Sequence, residues 1–241
     1  MSGNADLSTT MRATLRECRM VVERLCQSVG VPDGILPSVT NCGVYSAALG
    51  LAGFPGMERQ LDLVRNVEPE GLSFFEAGGV INVDAAGLHA WVAAEPALDL
   101  LVAAFRTGTA RELIISDVSQ PAELGTIRAL SQKHGFEAEV EVGNRTVVHL
   151  FPRARGEPTV LDRIICEGIE VERDLWFHLF HRSHDALAPD TVISRTHTGS
   201  IIVRPDGTII GKEDPEFADM DLTMLTRDSL IQLERDGPIA K

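Results

Sequence analysis

Aromatic residues are scarce, at 5% of the 241 residues, with one tyrosine and two tryptophans. The core must therefore be mostly aliphatic. Cysteine is scarce too: there are four, Cys18, Cys26, Cys42 and Cys166, and no two stand in a CxxC spacing. That excludes a disulfide-stapled scaffold and a structural zinc ribbon. Positive charge is in short supply, with 22 basic against 35 acidic residues and a formal net charge of −13. Through residue 150 there are 18 acids and 11 bases, and beyond it 17 and 11. Neither part has the electrostatic source that phosphate-backbone binding needs, so no nucleic-acid partner is expected. No run of about 18 apolar residues occurs, so no membrane partner is expected. The start, MSGNADLSTTM, lacks the apolar core of a signal peptide. The expectation is a cytoplasmic chain with reduced thiols. The dinucleotide motif GxGxxG, the P-loop and the GxSxG elbow are also missing, which disfavours a Rossmann enzyme, a P-loop enzyme and a serine hydrolase.

What remains is ordinary globular material, 44% hydrophobic and 24% charged. Met11, Leu15, Cys18, Val22, Leu25 and Val29 recur at spacings of four and three, which predicts a helix over 9–29 capped by Thr9 or Thr10. Further helices are expected over 38–51 and 57–67. After Pro69 the pattern changes. Short strands are expected at 72–75 and 80–83 around a Glu76-Ala77-Gly78-Gly79 hairpin, then a helix over 96–105, a strand over 112–116 and a helix over 121–134. Strands over 137–141 and 146–150 follow. Residues 80–151 thus read β-α-β-α-β-β, which builds a sheet with its helices on one face. The stretch Arg153–Pro158 reads as a linker. Beyond it come helices over 160–166 and 171–187, a hairpin over 199–210 around Pro205-Asp206-Gly207, and a last helix over 222–235. The fold class is α+β, in three parts: a helical cap (1–70), a mixed sheet domain (71–152) and a helix–hairpin–helix unit (153–241).

Three sets of residues carry candidate chemistry. Asp174, His178, His181 and Asp185 recur at helical spacing and share one helix face, the arrangement that a divalent metal or a general acid–base pair uses. Trp176, Leu179, Phe180 and Leu187 take the opposite face, so the stripe of His178, His181 and Asp185 turns toward solvent unless His197 or another subunit completes it. The loop Ser194–Ser200, with Ser194, Arg195, His197 and Ser200, can bind a carboxylate or phosphate through charge-assisted hydrogen bonds. Cys42, near the expected start of the second helix, and Cys166 are the candidate nucleophiles. Residues 213–221 hold five acids in nine positions without EF-hand spacing.

Three resemblances accompany these readings. The run Val83-Asp84-Ala85-Ala86-Gly87-Leu88-His89-Ala90-Trp91 resembles the opening motif of the bacterial TusA-type sulfur carriers, L-D-x-x-G-L-x-C-P. The resemblance implies their fold for residues 81–151. Ala90 stands where the reactive cysteine belongs, and Trp91 where the proline does, so the sulfur chemistry does not carry over. Residues 15–64, with Pro189-Asp190-Thr191-Val192-Ile193-Ser194-Arg195, resemble an uncharacterised bacterial domain-of-unknown-function family, which implies no activity. The hairpin from Gly199 to Gly207 looks like the closing hairpin of nitrilase-type amidohydrolases. Too few residues separate Cys166 from that hairpin for the layers such enzymes place between them.

The function expected is a cytoplasmic accessory or ligand-binding protein, a subunit of a metabolic assembly, taking a small molecule or protein as partner. The alternative is a metal-assisted hydrolase or lyase acting on a small carboxylate or amide. No cofactor is implied beyond a divalent metal in that alternative. Trp176, Phe177 and Phe180 are expected to lie against the sheet domain or against another subunit of a homo-oligomer.

Overall fold

The computed structural model describes residues 9–187 and, farther along, the strand pairs 202–203 and 209–210. The chain divides into two compact units, Met1–Leu187 and Ala188–Lys241. In the second unit, β8 (Ile202–Val203) pairs antiparallel with β9 (Ile209–Ile210), which is the hairpin expected around Pro205–Gly207. The expected helix over 222–235 lies outside the described residues.

The first unit is α+β, as the pattern predicts. It opens with β1 (Thr10–Ala13), followed by α1 (Leu15–Ser28), α2 (Leu36–Ala48) and α3 (Met57–Val64). The helix expected from residue 9 starts at Leu15 because Thr14 builds a capping box. The Thr14 hydroxyl accepts the Glu17 backbone N–H, and the Glu17 carboxylate accepts the Thr14 N–H at 2.8 Å. These bonds hold the Glu17 carboxyl below its ordinary range. Upstream of the cap, β1 pairs antiparallel with β7 (Ile169–Glu172), Met11 opposite Val171. For the same reason the helix expected from Val171 begins only at Arg173, as α7 (Arg173–Ser183). Within β7, Ile169 and Val171 are buried while Glu170 and Glu172 are exposed, the period-two signature of a strand.

Helix α1 buries Cys18, Val21, Val22, Leu25 and Cys26, and packs against both α2 and α7. Gly43 permits the first of these contacts: a Cβ there would lie 2.7 Å from Val22 Cγ1. Trp176 of α7 packs edge-on against Phe54, with ring centroids 5.5 Å apart. Trp176 is therefore covered from within the chain by the helical layer, and Phe180 is half-buried beside it, while Phe177 stays exposed. Residues 153–158 lead into α6 (Val160–Glu167), whose Val160 and Ile164 enter the same apolar core.

The chain between α3 and α6 forms a five-stranded sheet in the order β2-β3-β4-β6-β5. Its strands are β2 (Ser73–Ala77), β3 (Val80–Asp84), β4 (Glu112–Ser116), β5 (Phe136–Glu141) and β6 (Arg145–Pro152). Only β3 and β4 are parallel, and α4 (Ala90–Thr107) makes the crossover between them. Alternate residues Ile81, Val83, Leu113, Ile115, Val140, Val148 and Leu150 are buried on one face. On that same face lie α4 and α5 (Ile127–Gln132), which touch each other. Helix α4 begins at Ala90 rather than Pro96, since His89 caps it and Pro96 falls inside its second turn. The helix expected over 121–134 is a 3-10 segment, Pro121–Thr126, that runs into the short α5.

Gly43→Ala should lower stability by about 1 kcal/mol, because the cost of overpacking exceeds the gain in helix propensity. In a Val22→Ala background the same substitution should become stabilising. Urea denaturation of the four proteins checks it, and a stabilising Gly43→Ala in the native background would refute the close-approach argument.

Candidate functional site

Among the described residues, the fold separates those singled out from the sequence. Cys42 lies in the second turn of α2 instead of at its start. It is fully buried, and burial pushes its thiol up to about 12, so it stays protonated. Cys166 is exposed near the end of α6. His178 and His181 lie on α7, and Asp185 follows in a short 3-10 turn; all three are exposed. His178 Nε2 lies 3.2 Å from Glu58 Oε1, and Arg182 pairs with the other oxygen of the same carboxylate. The rings of His181 and His184 pack around Phe180. Among the described residues, no three His, Cys, Asp or Glu side chains gather as a metal set. Ser194, Arg195, His197 and Ser200 lie outside the described residues.

A buried polar knot joins the helical layer to the sheet; two of its members, His89 and Trp91, end the run 83–91, while Gln60 and Glu123 belong to no motif. His89 is 2% exposed, and its Nδ1 accepts the Trp91 backbone N–H at 3.1 Å. That bond places the ring proton on Nε2, which donates to Gln60 Oε1 at 2.7 Å. Trp91 Nε1 donates to Glu123 Oε2 at 2.8 Å, and Glu123 Oε1 accepts the Ala52 N–H at 2.9 Å. Glu123 is itself 2% exposed, and both of its carboxylate oxygens are bonded. Every one of these side chains has its partner inside the protein. The knot reads as a clamp between α3, α4 and the segment before α5.

Among the described residues, one edge of the sheet lacks a partner strand. All five residues of β2 are exposed, Phe74 at 59% and Phe75 at 61%. Its hairpin to β3 has a two-residue loop, Gly78-Gly79, with φ of 62° and 80°. Positive φ at both positions is the type I′ turn whose twist suits such a hairpin, and glycine adopts it without strain. The ladder pairs Ala77 with Val80, Phe75 with Asn82 and Ser73 with Asp84. The two-residue loop makes these the hydrogen-bonded pairs, so the N–H and C=O groups of Phe74 and Glu76 point away from β3. No described strand meets them there.

The opposite edge, β5, is protected. Glu137, Glu139 and Glu141 line its outer face, Arg128 donates to the Val140 carbonyl at 3.0 Å, and α5 packs against the strand. Charged side chains and covering elements are the usual ways to keep an edge from pairing. By contrast, β2 holds one charge, Glu76, and no proline. Its outward amides and carbonyls can accept another strand, and its phenylalanines can grip one.

No protein-family model and no curated protein matches this chain. Among solved structures it is similar to malate dehydrogenase from Pyrococcus horikoshii OT3, at 15% identity and a TM-score of 0.47, over 62% of this chain and 49% of that one. The chain thus spans about half the length of that enzyme. It is also similar to malate dehydrogenase from Entamoeba histolytica, at 8% identity and a TM-score of 0.42, over 77% of this chain and 71% of that one. A third similar structure is sulfolactate dehydrogenase from Methanocaldococcus jannaschii, at 11% identity and a TM-score of 0.38, over 71% and 67% of the two chains.

Burial holds His89 neutral, with its pKa lowered from 6.5 to about 4. The unfolded chain takes up this proton below pH of about 6.5, and the folded chain only near 4. Stability present above the higher value is therefore lost as pH falls through that window, by up to about 3 kcal/mol. His89→Gln should show a shallower loss than the native protein when urea unfolding is compared at the two ends of the window. Equal losses would refute the assignment.

His178→Ala with His181→Ala should cost under about 1 kcal/mol, the usual range for exposed positions. Elemental analysis of the purified chain should find no stoichiometric transition metal. Bound zinc that disappears in the double variant would instead establish the metal site.

Proposed function

We propose that this chain is a cytoplasmic accessory protein, a subunit of a metabolic assembly, which joins its partner through the free β2 edge of its sheet. The observation that carries this reading is the exposure of the whole strand, with two adjacent phenylalanines, beside an opposite edge that is guarded. Monomeric proteins seldom leave such an edge bare, because it invites pairing with another chain. Three of the four cysteines are buried and unpaired, which fits a reducing compartment. The resemblance of residues 81–151 to sulfur carriers, with Ala90 in place of their cysteine, fits a chain that binds without transferring sulfur. Phe75 has its side chain on the outer sheet face, in one row with Asn82, Ile114 and Val147. Ile114 and Val147 are half-buried, so a partner strand would extend a row that is apolar except at Asn82.

Phe75→Lys tests the reading. The native particle, sized by sedimentation in an extract of cells producing the chain, should shrink to a single chain in the variant. At a dilution where both proteins are single chains, the thermal midpoint of the purified variant should move by less than about 2 °C, since the residue is exposed. Particles of equal size for the native and variant chains would overturn the accessory-subunit reading.

A further inference from the structure

We propose that the occupant of the β2 edge is a second copy of this chain, its β2 running antiparallel across a twofold axis at Phe75. The proposal rests on the accessory-subunit reading and names its partner.

The outward groups of the strand decide the geometry. Phe74 and Glu76 each offer one N–H and one C=O. In an antiparallel pairing centred on Phe75, Phe74 of one copy faces Glu76 of the other, and the reverse. The two hydrogen-bonded pairs that result exchange four bonds and use every outward group of the strand. Phe75 then faces Phe75 of the second copy in a non-hydrogen-bonded pair, where Cα atoms come within about 4.5 Å and aromatic side chains meet. Ser73 faces Ala77. All five residues of the strand are paired.

Other centres are excluded on the same grounds. A centre on Glu76 sets two glutamates directly opposite each other, which is repulsive. A centre on Phe74 requires Gly71 to pair with Ala77, yet Gly71 belongs to the 3-10 turn Pro69–Gly71 and is not extended. Pairing β2 with the β5 edge of another copy is blocked by Glu137, Glu139, Glu141 and the covering α5. That head-to-tail contact would not close and would grow into filaments, whereas the twofold contact closes at two copies. One open edge and one guarded edge are what a closed dimer needs. The row Val147–Ile114–Asn82–Phe75 then meets its own image at the axis, and two five-stranded sheets become one continuous sheet.

The net charge of −13 on each copy opposes association at long range. Salt screens that repulsion without touching the strand pairing. The dimer should therefore tighten as salt is raised.

Sedimentation equilibrium of the purified full chain, from about 1 to about 100 µM, reads the association directly, since a contact this small belongs to the micromolar class. The native chain should dimerise, more tightly at higher sodium chloride, and Phe75→Lys should weaken the dimer about ten-fold or more. The register has its own readout. In a Cys166→Ser background, Phe75→Cys should form a disulfide-linked dimer with oxidised glutathione, because the facing Cβ atoms fall within disulfide reach. Phe74→Cys and Glu76→Cys should not, since neither faces its own copy. A purified chain that stays monomeric throughout overturns the second-copy proposal. If its particle in extract still shrinks with Phe75→Lys, the accessory-subunit reading survives with a different strand on the edge. A dimer indifferent to Phe75→Lys overturns both. Equal cross-linking at Phe74→Cys overturns the register.

Discussion

The Glu123 carboxylate is the point on which the two layers of the first unit depend. One oxygen takes the indole N–H of Trp91 at the start of α4, and the other takes the Ala52 N–H in the loop after α2. A buried carboxylate costs several kcal/mol unless it is fully bonded, so the chain can close only where both donors arrive together. Trp91 is wholly buried, and Gly43 of α2 lies close against its ring. His89 and Gln60 complete the junction from α3. Once these groups are satisfied, the angle between the helical layer and the sheet is set.

The sheet follows from that placement. With α4 and α5 held on one face, the alternate residues of β3, β4, β5 and β6 have a single face to bury, and period-two patterning fixes their register. The other face stays half-covered. At the β2 end, Phe74 on the helix face and Phe75 on the outer face both stay exposed among the described residues. At its β5 end, α5, Arg128 and three glutamates close the edge. The asymmetry between the two edges links the packing of the unit to the way it meets other chains.

Much of this was legible along the chain. Strand β4 falls at 112–116 as expected, the one-sided sheet matches the pattern, and the hairpin turns inside the expected 76–79 stretch, with Glu76 and Ala77 kept in β2. Alternation and turn chemistry are local signals that need no distant partner. The exposed edge was legible only in part. The two phenylalanines of β2 read as ordinary strand residues, because nothing in the sequence says that β2 stands last in the sheet order.

By itself the sequence determined the α+β class, the strands and turns of the sheet, and the aliphatic character of the core, since each rests on composition or on contacts between near neighbours. Tertiary structure decided the rest. Thr10–Ala13 became a strand only because Ile169–Glu172 came alongside it, far along the chain. Cys42 became inert because folding buried it completely. His89, Gln60, Trp91 and Glu123 became one network because folding brought residues 29 and 32 positions apart within hydrogen-bond distance. A hydrogen bond between distant residues leaves no periodicity behind, so only the folded chain could show which polar groups it buries and which edge it leaves open.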